Sequence, residues 1–218
     1  MKLRHREDRI FDKYRARGEQ IVRDGAITEE FEASGTRLLV ILKEPNDTTG
    51  NWVKSNGDMR SFGASGGRAA TWNNLARWSA LYANAPLQFN EVDVSTRESR
   101  VPHLRRIAVV NLKKTPGGSR ANLAVIEEYA IRHRELLDEQ LKLYRPDLSL
   151  AAGTFEILVK LRGKEQCVNP KKGNCFRYFA DDDLGLCIDF YHPQQRKFTN
   201  QRLFEFLRHQ LRCHGFSK

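Results

Sequence analysis

The sequence predicts an α/β fold, in which helices cover a central four-stranded parallel sheet to give three layers, αβα. Four short runs are nearly continuous in apolar residues, as is typical of parallel strands that are buried on both faces. Helical patterns separate these runs, and such alternation favours a parallel sheet wrapped by helices. The runs cover residues 36–42, 107–112, 148–152 and 186–190.

The first third of the chain contains two predicted helices and the first strand. Segment 6–24 has the pattern of an amphipathic basic helix. Its expected buried stripe is Ile10, Phe11, Tyr14, Ile21 and Val22. After the first strand, residues 46–67 form a long polar loop with several glycines, and loops of that length are usually functional or disordered. Thr71 has the character of a helix N-cap. The apolar face of that second helix would carry Trp72, Leu75, Ser79 and Tyr82.

The middle of the chain is expected to be irregular at first and regular afterwards. Residues 83–105 show little periodicity, so we predict no regular element there. The second strand at 107–112 leads into a long helix over 121–144, which ends before Pro146. The third strand follows at 148–152.

Turn and capping residues punctuate the last third of the chain. Gly153 permits a tight turn, and Thr154 can cap a short helix that runs to residue 162. An insertion at 163–185 is expected to hold a short hairpin around 176–179, before the fourth strand. Thr199 caps the last, basic helix. The inward residues of that helix would be Leu203, Phe204, Phe206, Leu207 and Leu211.

Length and charge limit the class of protein. A chain of 218 residues has the size of a single domain, 1–218. Lys and Arg number 37 against 27 Asp and Glu, which leaves a net charge of +10. Such a balance attracts polyanions, and DNA, double-stranded or single-stranded, is our expected partner. No run approaches the roughly 18 apolar residues of a membrane span. The charged N-terminal segment lacks the apolar region of a signal peptide. We therefore expect a cytoplasmic monomer without a membrane partner.

The four cysteines do not predict a metal centre. They are Cys167, Cys175, Cys187 and Cys213. Their spacing matches no trusted zinc or iron–sulfur pattern, so we predict reduced thiols, no metal and no cofactor. A small site built from Cys167, Cys175 and His214 stays open as an alternative.

Polar residues follow three of the four predicted strands. Glu44 and Asn46 come after the first strand, Asn111 ends the second, and His192 follows the fourth. The carboxyl ends of parallel strands meet at one edge of a sheet, where α/β proteins bind their ligands. The sequence therefore predicts one site that combines these side chains.

Five motifs in this order resemble the uracil-DNA glycosylase superfamily, over roughly residues 36–207. They are KEPN at 43–46, SFG with GRA at 61–69, VNLKKTP at 110–116, AAGT at 151–154 and YHPQQR at 191–196. The branch of the superfamily whose loop sequences are most similar carries an iron–sulfur cluster, and the cysteines that bind this cluster are missing here. The chain is therefore similar to a divergent member of the superfamily that lacks the cluster.

The resemblance implies an enzyme, a monofunctional DNA glycosylase that flips a pyrimidine out of the duplex. Such an enzyme hydrolyses the N-glycosidic bond and leaves an abasic site. Glu44 would orient the attacking water and stabilise the sugar cation, with Asp47 as the reserve carboxylate. His192 would donate a hydrogen bond to the pyrimidine O2 as charge develops there. The alternative for Glu44 is a loop carboxylate paired with Lys43 or with a helix N-terminus.

The resemblance also implies a base-binding set. Asn111 could read the base edge, because its amide offers a donor and an acceptor side by side. Phe62 could stack on the extruded base, next to Pro45 and Asn46. Asn111 could instead cap a strand end, and Phe62 could be a core residue.

A third group of residues is expected to contact DNA. Its members are Lys113, Lys114, Ser119, Arg120, Gln194, Gln195, Arg196 and Lys197. A solvated charged surface is the alternative for this set. The glycines of 63–67 form a flexible, anion-friendly loop, but they lack the Lys-Ser/Thr ending of an ATP-binding loop. We therefore reject nucleotide hydrolysis.

The sequence leaves two questions open. The first is the substrate, which is either uracil or a bulky C5-modified cytosine. No Tyr follows Pro45 to close the C5 edge. The modified base would occur in phage DNA, and the role would then be antiphage defence. The second is the activity, since a DNA-binding module without catalysis, or an unrelated α/β hydrolase of a small phosphorylated ligand, would fit parts of the pattern.

Overall fold

A computed structural model describes residues 2–46, 57–118, 120–167 and 176–216. Its centre is a six-stranded mixed sheet with the order β1-β3-β2-β4-β6-β5. The strands are β1 Gly25–Ala26, β2 Leu38–Leu42, β3 Ile107–Asn111, β4 Leu148–Ala152, β5 Tyr178–Asp181 and β6 Gly185–Phe190. Among the described residues there are nine α-helices. They are α1 Leu3–Ala16, α2 Glu30–Ala33, α3 Met59–Ala64, α4 Ala69–Ala83, α5 Arg97–Leu104, α6 Leu123–Arg132, α7 Arg134–Tyr144, α8 Phe155–Arg162 and α9 Asn200–Cys213.

The four predicted strands form the parallel centre of the sheet. β2 pairs in parallel with β3 and with β4, and β4 pairs in parallel with β6. Every residue of β2, β3 and β4 is buried, which explains their continuous apolar runs. The prediction of a purely parallel, four-stranded sheet is wrong, because antiparallel strands β1 and β5 extend its two edges. The short hairpin predicted around 176–179, within the insertion, is found in a different form: β5 pairs antiparallel with β6 itself.

Helices cover both faces of the sheet. Alternate residues of a strand point to opposite faces, and the core divides accordingly into two clusters. On one face, Val40 and Val109 pack with α4 and α9. On the other face, Ile41 and Val110 pack with residues of α6, α7 and α8. The α/β class and the layering of helices on the sheet therefore agree with the sequence prediction.

The predictions for the first two helices need correction. The N-terminal helix ends at Ala16, and the chain then extends toward β1; Ile21 and Val22 are buried without belonging to the helix. The helix assigned to Thr71 begins at Ala69, and Arg68 occupies its N-cap without a side-chain hydrogen bond.

The predicted long helix over 121–144 is two helices, α6 and α7. His133 breaks it, because its backbone leaves the helical region at φ −108° and ψ 21°.

Segment 83–105 is not irregular throughout. It contains α5, where Thr96 and Ser99 form a reciprocal capping box, a local signal that hydrophobic periodicity does not detect.

Within the described ranges, none of the helices combines the length and the apolar character that crossing a bilayer requires.

Candidate active site

A cavity of about 160 Å³ opens at the carboxyl edge of the parallel strands. It brings together the ends of β2, β3 and β6 with the wall formed by α3 and α4. Its lining residues are Leu42, Glu44, Pro45, Asn46, Met59, Phe62, Arg68, Thr71, Trp72, Asn111, His192 and Gln194. Glu44 and His192, which were predicted to be catalytic, and Asn111, which was predicted to bind the base, thus line one cavity.

Glu44 reaches the cavity from the segment that follows β2. Its Oε2 accepts a hydrogen bond of 2.7 Å from Lys113 Nζ, and the side chains are 9% and 11% exposed. The backbone pairing of β2 with β3 continues past the strand ends, because Gly117 N donates to Pro45 O at 2.9 Å. A Cβ at Gly117 would overlap the Glu44 carboxylate, so a larger residue there would have to displace that side chain. Glu44 Oε1 has no protein partner in the described part of the chain and remains able to bind a water.

Lys113 is therefore a partner of Glu44. Besides that carboxylate, its ammonium donates to the carbonyl oxygens of Thr115 at 3.0 Å and Pro116 at 3.1 Å. Three acceptors use the three protons of the ammonium group. The predicted contact between Lys113 and a DNA phosphate is not supported by this geometry. Lys43, the expected alternative partner of Glu44, does not contact it in the described structure.

Asn111 ends β3 and presents its side chain to the cavity. Its backbone N–H donates to Asp24 Oδ2 at 2.7 Å, and its Nδ2 donates to the same oxygen at 3.2 Å. Nδ2 also lies 3.4 Å from Met59 Sδ. Asn111 Oδ1 is buried and has no hydrogen-bond partner among the described residues. An unpaired buried acceptor is costly in a folded protein, so a ligand N–H is a natural partner for it.

A buried polar network lies behind Asn111. Asp24 and Lys114 are fully buried, and Lys114 Nζ lies 2.8 Å and 3.0 Å from the two Asp24 oxygens. Burial lowers the pKa of Lys114, and the Asp24 charge opposes that effect. Gln140 Nε2 donates to Asp24 Oδ1 at 2.9 Å and Lys114 Nζ donates to Asn111 O at 2.8 Å. The prediction that Lys114 contacts DNA is wrong, because its side chain cannot reach solvent.

His192 faces the cavity from the loop after β6. Burial, with a smaller contribution from the Lys43 charge, lowers its pKa to about 4. The imidazole is therefore neutral at physiological pH. Its Nδ1 accepts from the backbone N–H of Gln194 at 3.2 Å. The proton of the neutral ring must then be on Nε2, which makes Nε2–H a hydrogen-bond donor.

Neutral hydrogen bonds hold the loop that carries His192. Asn74 of α4 donates through Nδ2 to Pro193 O at 2.7 Å and to Asn200 Oδ1 at 2.9 Å. Gln195 Oε1 accepts from the backbone N–H groups of Lys197 and Phe198, and its Nε2 donates to Phe198 O. Gln195 therefore closes the loop internally, which differs from its predicted contact with DNA.

The wall made by α3 and α4 is aromatic. The rings of Phe62 and Trp72 meet edge to face at 5.9 Å. Cβ atoms at Gly63 or Gly67 would overlap Trp72, so these glycines allow close packing. The glycine loop is not an open anion site, because the amides of Gly66 and Gly67 donate to carbonyls within the loop. Arg100, 3% exposed, holds the carbonyl oxygens of both residues.

The remaining predicted DNA contacts are at the surface or outside the described residues. Arg120, Gln194, Arg196 and Lys197 are exposed. Lys197 Nζ lies 5.4 Å above the Phe198 ring, and neither Arg196 nor Lys197 has a carboxylate partner in the described structure. Asp47 and Ser119 lie outside the described residues.

Several residues of the site were not expected from the sequence. Arg68, Thr71 and Met59 line the cavity, and Asp24 and Asn74 position lining residues. Arg68 could have been recognised, since it is the exposed cation of the GRA motif at the end of the predicted polar loop. Asp24 and Asn74 give no local signal, because their partners are distant in the sequence.

Cys167, Cys187 and Cys213 do not line the cavity. Cys167 and Cys187 are free thiols. Burial raises the pKa of the Cys187 thiol well above its ordinary range. The prediction of reduced thiols is wrong for Cys213, which is disulfide-bonded. The alternative metal site from Cys167, Cys175 and His214 cannot be placed as a whole, because Cys175 lies outside the described residues.

Comparisons with known proteins give no family assignment: no protein-family model matches the chain, and no curated protein matches it.

Proposed function

We propose that this protein is a divergent member of the uracil-DNA glycosylase superfamily with the corresponding fold, and that it is a metal-free, monofunctional DNA glycosylase. The observation that carries the proposal is the convergence of Glu44, Asn111 and His192 on one cavity. A carboxylate, a base-reading amide and a neutral imidazole donor are the groups that hydrolysis of a base–sugar bond needs.

In this reaction the target pyrimidine leaves the base stack and enters the cavity, where Phe62 contacts its face. Asn111 Oδ1 accepts a hydrogen bond from an N–H of the base. His192 Nε2–H donates to O2, where negative charge builds as the C1′–N1 bond breaks and its electron pair moves to the base. Each of these two hydrogen bonds uses an atom, Asn111 Oδ1 or His192 Nε2, that has no hydrogen-bond partner in the described protein.

Glu44 acts on the sugar side of the base. Its carboxylate stabilises the oxocarbenium-like sugar, and Oε1 orients the water that adds to C1′. The water loses one proton, the base anion gains one, and the products are an abasic site and the free base. Lys113 positions the carboxylate through its 2.7 Å contact and is a positioning residue in this scheme.

The substrate is uracil or a bulky C5-modified cytosine. The second choice would make phage DNA the target and antiphage defence the role. The exposed Asn46 at the cavity, in place of a closing Tyr ring, is what favours tolerance of a C5 group.

The test is a panel of labelled oligonucleotides, double-stranded and single-stranded, that carry each candidate base at one position. Alkali after incubation cleaves any abasic site. We expect cleavage at one class of base, and at least a hundredfold slower cleavage by Glu44→Gln, on the order of general acid–base contributions. Glu135→Gln, an exposed carboxylate on α7, is the matched control and should retain the wild-type rate. No cleavage of any substrate would contradict the proposal.

The second candidate function is a DNA-binding module that lacks catalysis. Its supporting observation is that Glu44 is already charge-paired with Lys113. Binding of DNA by both wild type and Glu44→Gln, with no cleavage by either, would favour this candidate.

A further inference from the structure

The base-reading amide of Asn111 is held by a carboxylate that comes from a different part of the chain. Asp24, just before β1, accepts from both the backbone N–H and the Nδ2 of Asn111 through one oxygen, at 2.7 Å and 3.2 Å. Asp24 is fully buried and does not line the cavity. It therefore acts on a bound base only through Asn111.

Asp24 fixes which end of the amide faces the cavity. A carboxylate only accepts hydrogen bonds, so a flipped Asn111 would place its Oδ1 against Asp24 Oδ2, two acceptors together. Nδ2 must therefore point to Asp24, and Oδ1 is the atom left buried with no partner in the described part of the chain. An unconstrained amide could present either a donor or an acceptor to a base.

The neighbours of Asp24 keep it a pure acceptor. Lys114 Nζ approaches both of its oxygens, at 2.8 Å and 3.0 Å, and Gln140 Nε2 donates to Oδ1 at 2.9 Å. All of these contacts are donors to Asp24, so its oxygens act as acceptors in the network. The polarity of Asn111 therefore depends on buried charge, which is out of reach of a ligand.

Uracil and cytosine have opposite hydrogen-bonding groups, donor in one and acceptor in the other, at both positions that an amide can read. Uracil has a donor at N3–H and an acceptor at O4, whereas cytosine has an acceptor at N3 and a donor at N4–H. A fixed acceptor that faces position 3 favours the uracil edge, and one that faces position 4 favours the cytosine edge. In either placement, the fixed acceptor disfavours the other class of base.

We propose that Asp24 is a specificity-determining positioning residue, which makes the cavity select between uracil-type and cytosine-type pyrimidines whatever group they carry at C5. This inference rests on the proposed glycosylase function. It adds that selection depends on the hydrogen-bonding edge, and that Asp24 and Lys114 maintain it from outside the cavity.

The experiment uses pairs of bases matched at C5, namely uracil with cytosine and 5-hydroxymethyluracil with 5-hydroxymethylcytosine, each in the same duplex. A third pair is added, in which a uracil and a cytosine carry the same bulkier group at C5. The measured quantity is the ratio of kcat/KM within each pair. For the wild type we expect at least about a hundredfold preference for the same edge in every pair that is cleaved, because the wrong base leaves buried polar groups unpaired.

The key variant is Asp24→Asn combined with Lys114→Met. It removes both charges of the pair, so neither one is left buried without its partner. The amide introduced at position 24 can donate or accept, so Asn111 is free to flip. We expect the preference to fall at least about tenfold, because the disfavoured base gains activity relative to the favoured one. A merely structural role would lower the rates for both bases equally and leave the ratio unchanged.

The matched control is Glu7→Gln. Glu7 belongs to the same buried network, accepting from Tyr144 Oη at 2.8 Å, but it does not contact Asn111. This variant should keep the wild-type ratio even if its stability falls. If the double variant does not fold, the wild-type ratios decide alone, since a ratio near one in a cleaved pair contradicts the inference.

The outcomes separate the two proposals. Cleavage with an unchanged ratio in the double variant would overturn the role of Asp24 and leave the glycosylase intact. Absence of cleavage for every base would overturn the glycosylase, and the inference with it.

Discussion

The β3 end of the cavity is held by buried charges, whereas the β6 end is held by neutral hydrogen bonds. At the β3 end, Asn111 is oriented by Asp24 and Lys114, which are fully buried. At the β6 end, His192 is uncharged and its loop is fixed by Asn74. The difference shows how one sheet edge can provide both an acceptor of fixed polarity and a donor without charge.

The two ends also carry their cations differently. The consecutive lysines after β3 are buried or nearly so, and each is paired with a carboxylate. Arg196 and Lys197 in the loop after β6 are exposed, with no carboxylate partner in the described structure. The two lysines after β3 therefore serve the fold and the site, whereas Arg196 and Lys197 are available to a polyanion.

The largest expected effect is on stability at the β3 end. Lys114→Met leaves Asp24 as an uncompensated buried charge, so the free energy of unfolding should fall by about 3–5 kcal/mol. Urea denaturation followed by circular dichroism measures this. The control Lys142→Met, at an exposed position of α7, should change stability by less than about 0.5 kcal/mol. A loss below about 1 kcal/mol for Lys114→Met would contradict the charged network.

The next effect is on catalysis at the β6 end. His192→Ala removes the donor that we propose for O2, and kcat should fall by about 10²–10³, as for other oxyanion donors. Single-turnover cleavage of the base identified in the panel measures the effect. Folding should be preserved, because His192 is partly exposed and carries no buried charge. Loss of folding together with activity would assign His192 to the structure instead.

The sequence predicted the positions of the site residues better than their partners. Glu44, Asn111 and His192 were found because each follows an apolar run, and parallel strands place their ends at one edge. The roles of Lys113 and Lys114 were missed, since burial depends on Glu44 and Asp24, which are distant in the sequence.

The sequence pattern gave no prediction of the edge strand β1, whereas it predicted a hairpin near the edge strand β5. β1 spans only Gly25–Ala26, and two residues carry no detectable periodicity. β5 was predicted within a hairpin because turn residues precede β6. Length and local signals therefore limited the fold prediction, while long-range pairing limited the site prediction.

The third effect is a pH dependence that arises from His192 at the β6 end. Because the folded pKa of His192 is about 4, against 6.5 in an exposed imidazole, the unfolded chain takes up a proton between these values and the folded one does not. Stability contributed by the neutral ring is present above about pH 6.5 and is lost as pH falls toward 4. His192→Gln should remove this loss.

The measurement compares wild type and His192→Gln by urea denaturation at pH 7 and pH 5. The wild type should lose about 1–2 kcal/mol more than the variant over this interval. The comparison of two proteins cancels the other titrating groups, including Glu7, whose pKa is raised to about 7 by burial. Equal losses would show that His192 titrates normally and is charged near neutral pH.

The smallest effect separates the cations of the two ends by their response to salt. Each phosphate contact contributes about 0.9 to the slope of log K against log salt for duplex DNA. Arg196→Ala and Lys197→Ala should each reduce the measured slope by about that amount. Lys160→Ala, whose ammonium is 2.7 Å from Glu127, should leave it unchanged. Fluorescence anisotropy with a labelled duplex at several salt concentrations provides the slopes. Unchanged slopes for both loop variants would mean that the polyanion binds elsewhere, and that the exposed cations at the β6 end are a solvated surface.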